Sequence, residues 1–220
     1  MHRHVKSLVL FVGGMVACLA AGAQAAPIAI VNAGFEMPVL ADNDATNNAI
    51  PGWTGTDIGD AFNFGVYNPS AAFFPGQAPE GANVAFIERG AIFQVLASVL
   101  QPGSYSLSVL VGDSLVDPVS PFTIELRAGA TVLAQASAPA PADGSFTLVT
   151  AGYQATALDP LLGLPLEVRL IDPGFDKTTE PYFDDVRLDF TARNAEVPEP
   201  ATVVLLSIGL AVARHARRCR

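Results

Sequence analysis

Apolar and polar positions alternate in short runs through the middle of this chain, and each run stops at Gly, Pro, Asn or Asp. The clearest is 104–112, where Ser104, Ser106 and Ser108 interleave with Tyr105, Leu107 and Val109 before the run turns wholly apolar. Alternation with a period of two is that of a strand with one face in a core. Phe122, Ile124 and Leu126 alternate with Thr123, Glu125 and Arg127 in the same way. The pattern predicts strands over 28–32, 83–88, 92–96, 104–112, 122–128, 131–135, 145–153, 164–171 and 182–191, with a further one over 50–56 that turns Trp53 toward the core. Pro102-Gly103, Ala128-Gly129 and Asp143-Gly144 supply turn chemistry between them. No central segment has helical periodicity. The expected fold is therefore all-β, an antiparallel two-sheet jelly-roll sandwich. Between 37 and 82 the pattern is irregular, and a stretch of that length in a compact domain is functional or conceals short strands.

The two ends follow other rules. Met1-His2-Arg3-His4-Val5-Lys6 is basic, 7–22 is apolar, and Ala23-Gln24-Ala25 is a small-x-small cleavage signature, so 1–25 is expected to be a signal peptide. At the other end stand Val197-Pro198-Glu199-Pro200, then 201–213 without a charge, then the Arg-rich 214–220. The two prolines keep the triplet extended. A helix over 201–213 would rise only ~20 Å, short of a ~30 Å hydrocarbon layer, and the basic end would stay on the cytoplasmic side. This order resembles the PEP-CTERM protein-sorting domain of Gram-negative bacteria. The resemblance implies export through the inner membrane, processing by signal peptidase and an exosortase, and membrane contact through the C-terminal helix before processing. A cell-surface or secreted matrix location would follow. The chain then divides into 1–25, a sandwich domain over 26–195, and a sorting segment over 196–220.

Removing the ends changes the charge picture. The whole chain carries −9, whereas 26–195 holds 6 basic and 19 acidic residues, a net −13. Such a surface repels nucleic acid. Cys18, Cys219, His2, His4 and His215 all lie in the ends, so the body has no disulfide, no thiolate or imidazole metal site and no Ser-His-Asp triad.

Within the body, Asn32-Ala33-Gly34-Phe35-Glu36, Pro51-Gly52-Trp53, Phe93-Gln94-Val95-Leu96, Pro102-Gly103-Ser104-Tyr105-Ser106-Leu107 and Tyr182-Phe183-Asp184-Asp185-Val186-Arg187-Leu188 resemble a galactose-binding-like jelly roll, the fold of many carbohydrate-binding modules. The resemblance implies a structural Ca²⁺ held by Glu36 and Asp184, with Asp185 as the alternate carboxylate. Strict strand parity puts Asp184 on the apolar side with Val186, Leu188 and Phe190, where a bare carboxylate needs a partner. Trp53, Tyr67, Phe73 and Phe74 are the candidate ligand-binding aromatics, although Trp53 also reads as core and the Phe pair as loop packing. Asp42, Asp44, Asn47 and Asn48 lack EF-hand spacing. No spacing singles out a catalytic pair of acids. The expectation is a non-enzymatic exported protein that associates with extracellular polysaccharide. The alternatives are a structural or adhesive biofilm protein without a sugar site, and a glycan-active enzyme.

Overall fold

The computed structural model describes residues 24–56, 63–119, 121–174 and 179–193. The segments 1–23 and 194–220, which carry the expected signal peptide and the sorting motif Val197, Pro198, Glu199 and Pro200, lie outside the described residues.

Strand alternation becomes burial as the sequence pattern dictates. In β6 (Gly103–Asp113) Tyr105, Leu107, Val109 and Val111 are buried while Ser104 and Ser106 face water. In β7 (Thr123–Ala128) Ile124, Leu126 and Ala128 are buried, and in β10 (Pro165–Asp172) Leu166, Val168 and Leu170 are. The remaining elements are β1 (Ala26–Ile28), β2 (Thr54–Thr56), β3 (Asn63–Tyr67), β4 (Val84–Glu88), β5 (Gly90–Val99), β8 (Thr131–Ala136), β9 (Ser145–Ala155) and β11 (Tyr182–Ala192).

They form two antiparallel sheets. The first runs β3-β4-β11-β6-β9, with β1 pairing on β11 beyond the end of β4; the second runs β2-β5-β10-β7-β8. Their inner faces bury one core that includes Phe64, Ile87, Leu107, Val109, Ile124, Val168, Phe183 and Leu188. Removing each such side chain from water is worth about 1.5–3 kcal/mol.

β11 departs from strict parity. Its register with β6 shifts between Asp184 and Arg187, and Asp185 adopts a left-handed φ of 48°. This bulge lets Phe183, Val186 and Leu188 all face the core although the first two are three positions apart. Asp184 therefore does not share the face of Val186 and Leu188, as unbroken alternation would require. It points the other way, with Tyr182, and is buried there beneath the 76–83 loop, whose Glu80 amide donates to its Oδ2 at 2.8 Å.

That second face of the first sheet is roofed. Residues 43–48 run along the edge of β3: Thr46 and Asn48 amides donate to the Val66 and Phe64 carbonyls, and Asn43 and Asn68 amides pair with the Asn68 and Asp44 carbonyls. Gly65 makes this possible, since a Cβ there would sit 2.0 Å from the Thr46 carbonyl oxygen. A separate aromatic cluster of Tyr67, Phe74, Val84, Phe86 and Tyr182 fills part of the covered space.

Candidate functional site

The roofed face holds a cavity of about 330 Å³. Sheet register explains who lines it. Asn63 pairs with Glu88 and Gly65 with Phe86 across β3 and β4, and Tyr182 pairs with Phe86 across β4 and β11. Because side chains alternate, Asn63, Tyr67, Phe86, Glu88 and Tyr182 all point away from the sandwich core, while Phe64, Val66, Ala85, Ile87 and Phe183 point into it. The 43–47 segment adds Asn43, Ala45 and Asn47 at the rim, and Phe73 closes a side.

Glu180 and Asp117 complete the lining. The 114–119 turn is self-capped: Ser114 Oγ accepts from the Val116 and Asp117 amides, and Asp113 Oδ1 accepts from Val119. The Glu180 amide then donates to the Pro118 carbonyl at 3.1 Å, tying the entry of β11 to that turn and setting Glu180 beside Asp117. The Tyr182 hydroxyl donates to Glu180 Oε1.

These surroundings perturb Glu180 strongly. Burial pushes its carboxyl up to about 7, with Glu88, Asp117 and Asp172 adding repulsion and the Tyr182 hydrogen bond opposing them. Burial, together with the adjacent Glu180, also raises the Tyr182 phenol far above its ordinary range. A carboxyl poised near neutrality in an aromatic cavity is the arrangement that general acid–base chemistry needs. By comparison, the groove lined by Gly103, Ser104, Gln154 and Arg193 measures about 60 Å³ and contains no carboxylate.

The aromatics expected to meet a ligand are distributed unevenly. Tyr67 and Phe73 line the cavity in an edge contact at 5.2 Å, and the Tyr67 hydroxyl donates to Asn43 Oδ1. Phe74 lies behind them, fully buried against Phe146 and Tyr182. Trp53 is in the main core against Phe35, its indole N–H donating to the Asn32 carbonyl. Glu180, Tyr182, Glu88, Asp117 and Asn63 were not singled out from the sequence as a site. Their only sequence signals were pairs two apart, Phe86 with Glu88 and Glu180 with Tyr182, which share a face on a strand.

The three carboxylates expected at a metal do not gather into one set. Glu36 Oε1 accepts from the Ala82 and Asn83 amides. Asp185 chelates Arg187, at 2.7 Å. Asp184 is wholly buried, its oxygens accepting from Glu80 and Asp185 amides, and burial pushes it up to about 8 with Glu80 and Asp185 repelling it. Among the described residues no group of three or more His, Cys, Asp or Glu side chains is arranged to hold a metal.

Comparison with known proteins gives this cavity a context. Residues 26–189 match the model of the HpiC1-like family, described as HpiC1 cyclase. A Stig cyclase from Fischerella sp. TAU, solved with (3Z)-3-(1-methyl-2-pyrrolidinylidene)-3H-indole, is 32% identical, with a TM-score of 0.70 over 77% of this chain and 100% of its own. A cyclase from the same organism in complex with 4-(1H-indol-3-yl)butan-2-one is 32% identical, with a TM-score of 0.68 over 77% of this chain and all of its own. A putative sugar-binding protein from Bacteroides thetaiotaomicron shares the fold alone, at 13% identity and a TM-score of 0.51 over 73% of this chain and 98% of its own. No curated protein sequence matches the chain.

These findings correct the reading of the chain as an exported PEP-CTERM protein with a carbohydrate-binding body. The matched span is the body itself, and the short Asn-x-Gly-Phe and Asp-Asp-Val pieces behind the carbohydrate resemblance belong to a fold that cyclases and sugar-binding proteins share. The non-enzymatic assignment is overturned by the cyclase match, and the polysaccharide role falls with it. So do exosortase and signal peptidase as partners, and the cell-surface or matrix location. The expected C-terminal helix over 201–213 lies outside the described residues, and among those no helix is long and apolar enough to cross a membrane. The chain belongs to the HpiC1-like cyclase family.

Proposed function

We propose that this protein is a cyclase that closes a ring on a small, flat heteroaromatic molecule of the indole class, with Glu180 as the proton donor. The observation that carries the reading is the Glu180 carboxyl, pushed up to about 7 inside an aromatic cavity on the roofed sheet face. The indole ligands of the two Fischerella cyclases support the substrate class. The two five-strand paths, β3-β4-β11-β6-β9 against β2-β5-β10-β7-β8, support describing the body as a jelly roll.

The chemistry follows from the wall. Tyr182 holds Glu180 Oε1, which leaves Oε2 to present the proton. Transfer of that proton to the bound molecule creates a cation, and the faces of Tyr67, Phe73 and Phe86 shield it from water. A double bond or ring carbon of the same molecule attacks the cation and closes the ring. Loss of a proton back to the Glu180 carboxylate completes the cycle, so the product is an isomer of the substrate.

A panel of 3-alkenyl indoles incubated with the full-length protein in D₂O tests this by mass spectrometry. A cyclised isomer carrying solvent deuterium is expected, and Glu180→Gln should slow its formation about 10²–10⁴-fold. A variant within a few-fold of wild type would remove Glu180 from the chemistry.

A structural Ca²⁺ near Asp184 belongs to the same proposal. Asp184 is buried and faced by Glu80 and Asp185, with repulsion that a bound cation would relieve. Asp184 and Glu80 would supply hard oxygens, with carbonyls completing the shell, whereas Asp185 is paired with Arg187. The ion would pin the 76–83 loop to the bulge of β11.

A further inference from the structure

The cavity wall is one-sided in charge and in hydrogen-bonding sense. Glu88 comes from β4, Asp117 from the 114–119 turn and Glu180 from the approach to β11, and no described residue lining the cavity is Lys, Arg or His. A second, independent feature points the same way. Asn63 Oδ1, on the β3 side of the cavity, is buried without a hydrogen-bond partner among the described residues. An orphaned buried acceptor costs free energy unless something donates to it. The neighbouring amide of Asn43 already spends its oxygen on the Tyr67 hydroxyl. The remaining walls, Tyr67, Phe73, Phe86 and Tyr182, offer aromatic rings, whose negative faces attract cations.

Acceptors, carboxylates and π-faces together describe the occupant. We propose that this cavity selects its ligand by charge, accepting heteroaromatic molecules that bear N–H donors and a positive charge and rejecting those that bear a carboxylate. The inference rests on the reading of this cavity as the active site. It names Asn63, Glu88 and Asp117 as specificity-determining residues: a rotation of the Asn63 amide brings its enclosed Oδ1 to a ring N–H, and Glu88 and Asp117 face the cationic arm. An anionic arm would meet two or three carboxylates with no compensating cation among the described lining residues.

Isothermal titration of the full-length protein with three indoles of similar size tests the selection: tryptamine as the cation, 4-(1H-indol-3-yl)butan-2-one as the neutral probe and indole-3-propionate as the anion. Tryptamine is expected to bind at least about tenfold more tightly than indole-3-propionate, with the ketone between them. The double variant Glu88→Gln/Asp117→Asn should bring the cation and anion to within about threefold of each other. Should that variant fail to fold, raising salt on the wild type gives a second readout, because it should weaken tryptamine and leave the ketone unchanged. Equal affinity for all three, or tighter binding of the anion, overturns charge selection while leaving the cavity as the site. Binding of none of the three overturns the site itself and the selection with it.

Discussion

Glu180 carries the chemical claim, and its burial has a consequence that needs no substrate to measure. The folded protein holds this carboxyl at about 7, against an ordinary 4.5. Between those values the folded state retains a proton that the unfolded state has lost. The stabilisation is therefore complete below pH 4.5 and disappears as pH rises through about 7. A gap of that size is worth about 3 kcal/mol at full burial, and partial contact with water trims it to about 2 kcal/mol. Glu180→Gln keeps the shape and an acceptor for Tyr182 but has no proton to lose. Urea unfolding of both proteins at pH 4.5 and pH 8 should show wild type losing about 2 kcal/mol more than the variant across that interval. Asp184, pushed up to about 8, acts in the same direction, but its share is present in both proteins and cancels in the difference. Parallel stability curves would contradict this, because they would mean that Glu180 is as acidic folded as unfolded.

Three further outcomes are expected. Tyr182→Phe removes the hydrogen bond that holds Glu180 down, so the midpoint of the same pH–stability difference should move above 7. Gly65→Ala places a Cβ 2.0 Å from the Thr46 carbonyl and should push the 43–48 segment off β3; a loss of about 1–3 kcal/mol in urea melts and a larger loss of ligand affinity than at other outer-face positions would report it. EDTA should lower the melting temperature of wild type, and Asp184→Asn should abolish that response; an unchanged wild-type melt would count against the cation.

How much of this was readable in advance varies along the chain. Strands β6, β7 and β10 were plain because one face of each meets the core and the other meets water, which writes a period of two into the sequence. Strand β3 escapes the pattern, since Asn63-Phe64-Gly65-Val66-Tyr67 is covered on both faces, by the core on one and by the Thr46 carbonyl over Gly65 and Phe73 against Tyr67 on the other, and such a strand shows no alternation. The bulge in β11 was equally invisible: nothing in Tyr182-Phe183-Asp184-Asp185-Val186 announces a left-handed Asp185, so parity set Asp184 on the wrong face. Tyr67 and Phe73 drew notice only for lying in the irregular 37–82 stretch. Glu88, Asp117 and Glu180 are separated by dozens of residues, and only the adjacency of β4 with β11, and the Pro118 carbonyl reaching Glu180, makes them one site. The confusion of a cyclase with a sugar-binding module has the same root. The pieces that carried the likeness build the sandwich, and of their residues only Tyr182 reaches the cavity proposed as the site.

The substrate is expected in the cavity beside the 43–48 segment. A crystal structure of the full-length protein with 4-(1H-indol-3-yl)butan-2-one addresses that directly. The prediction is an indole lying against Tyr67, Phe73 and Phe86, its N–H directed at Asn63 Oδ1 and its side chain reaching the Glu180 carboxyl. Ligand density in the groove beside Gly103 and Gln154, with the Glu180 cavity empty, would contradict it.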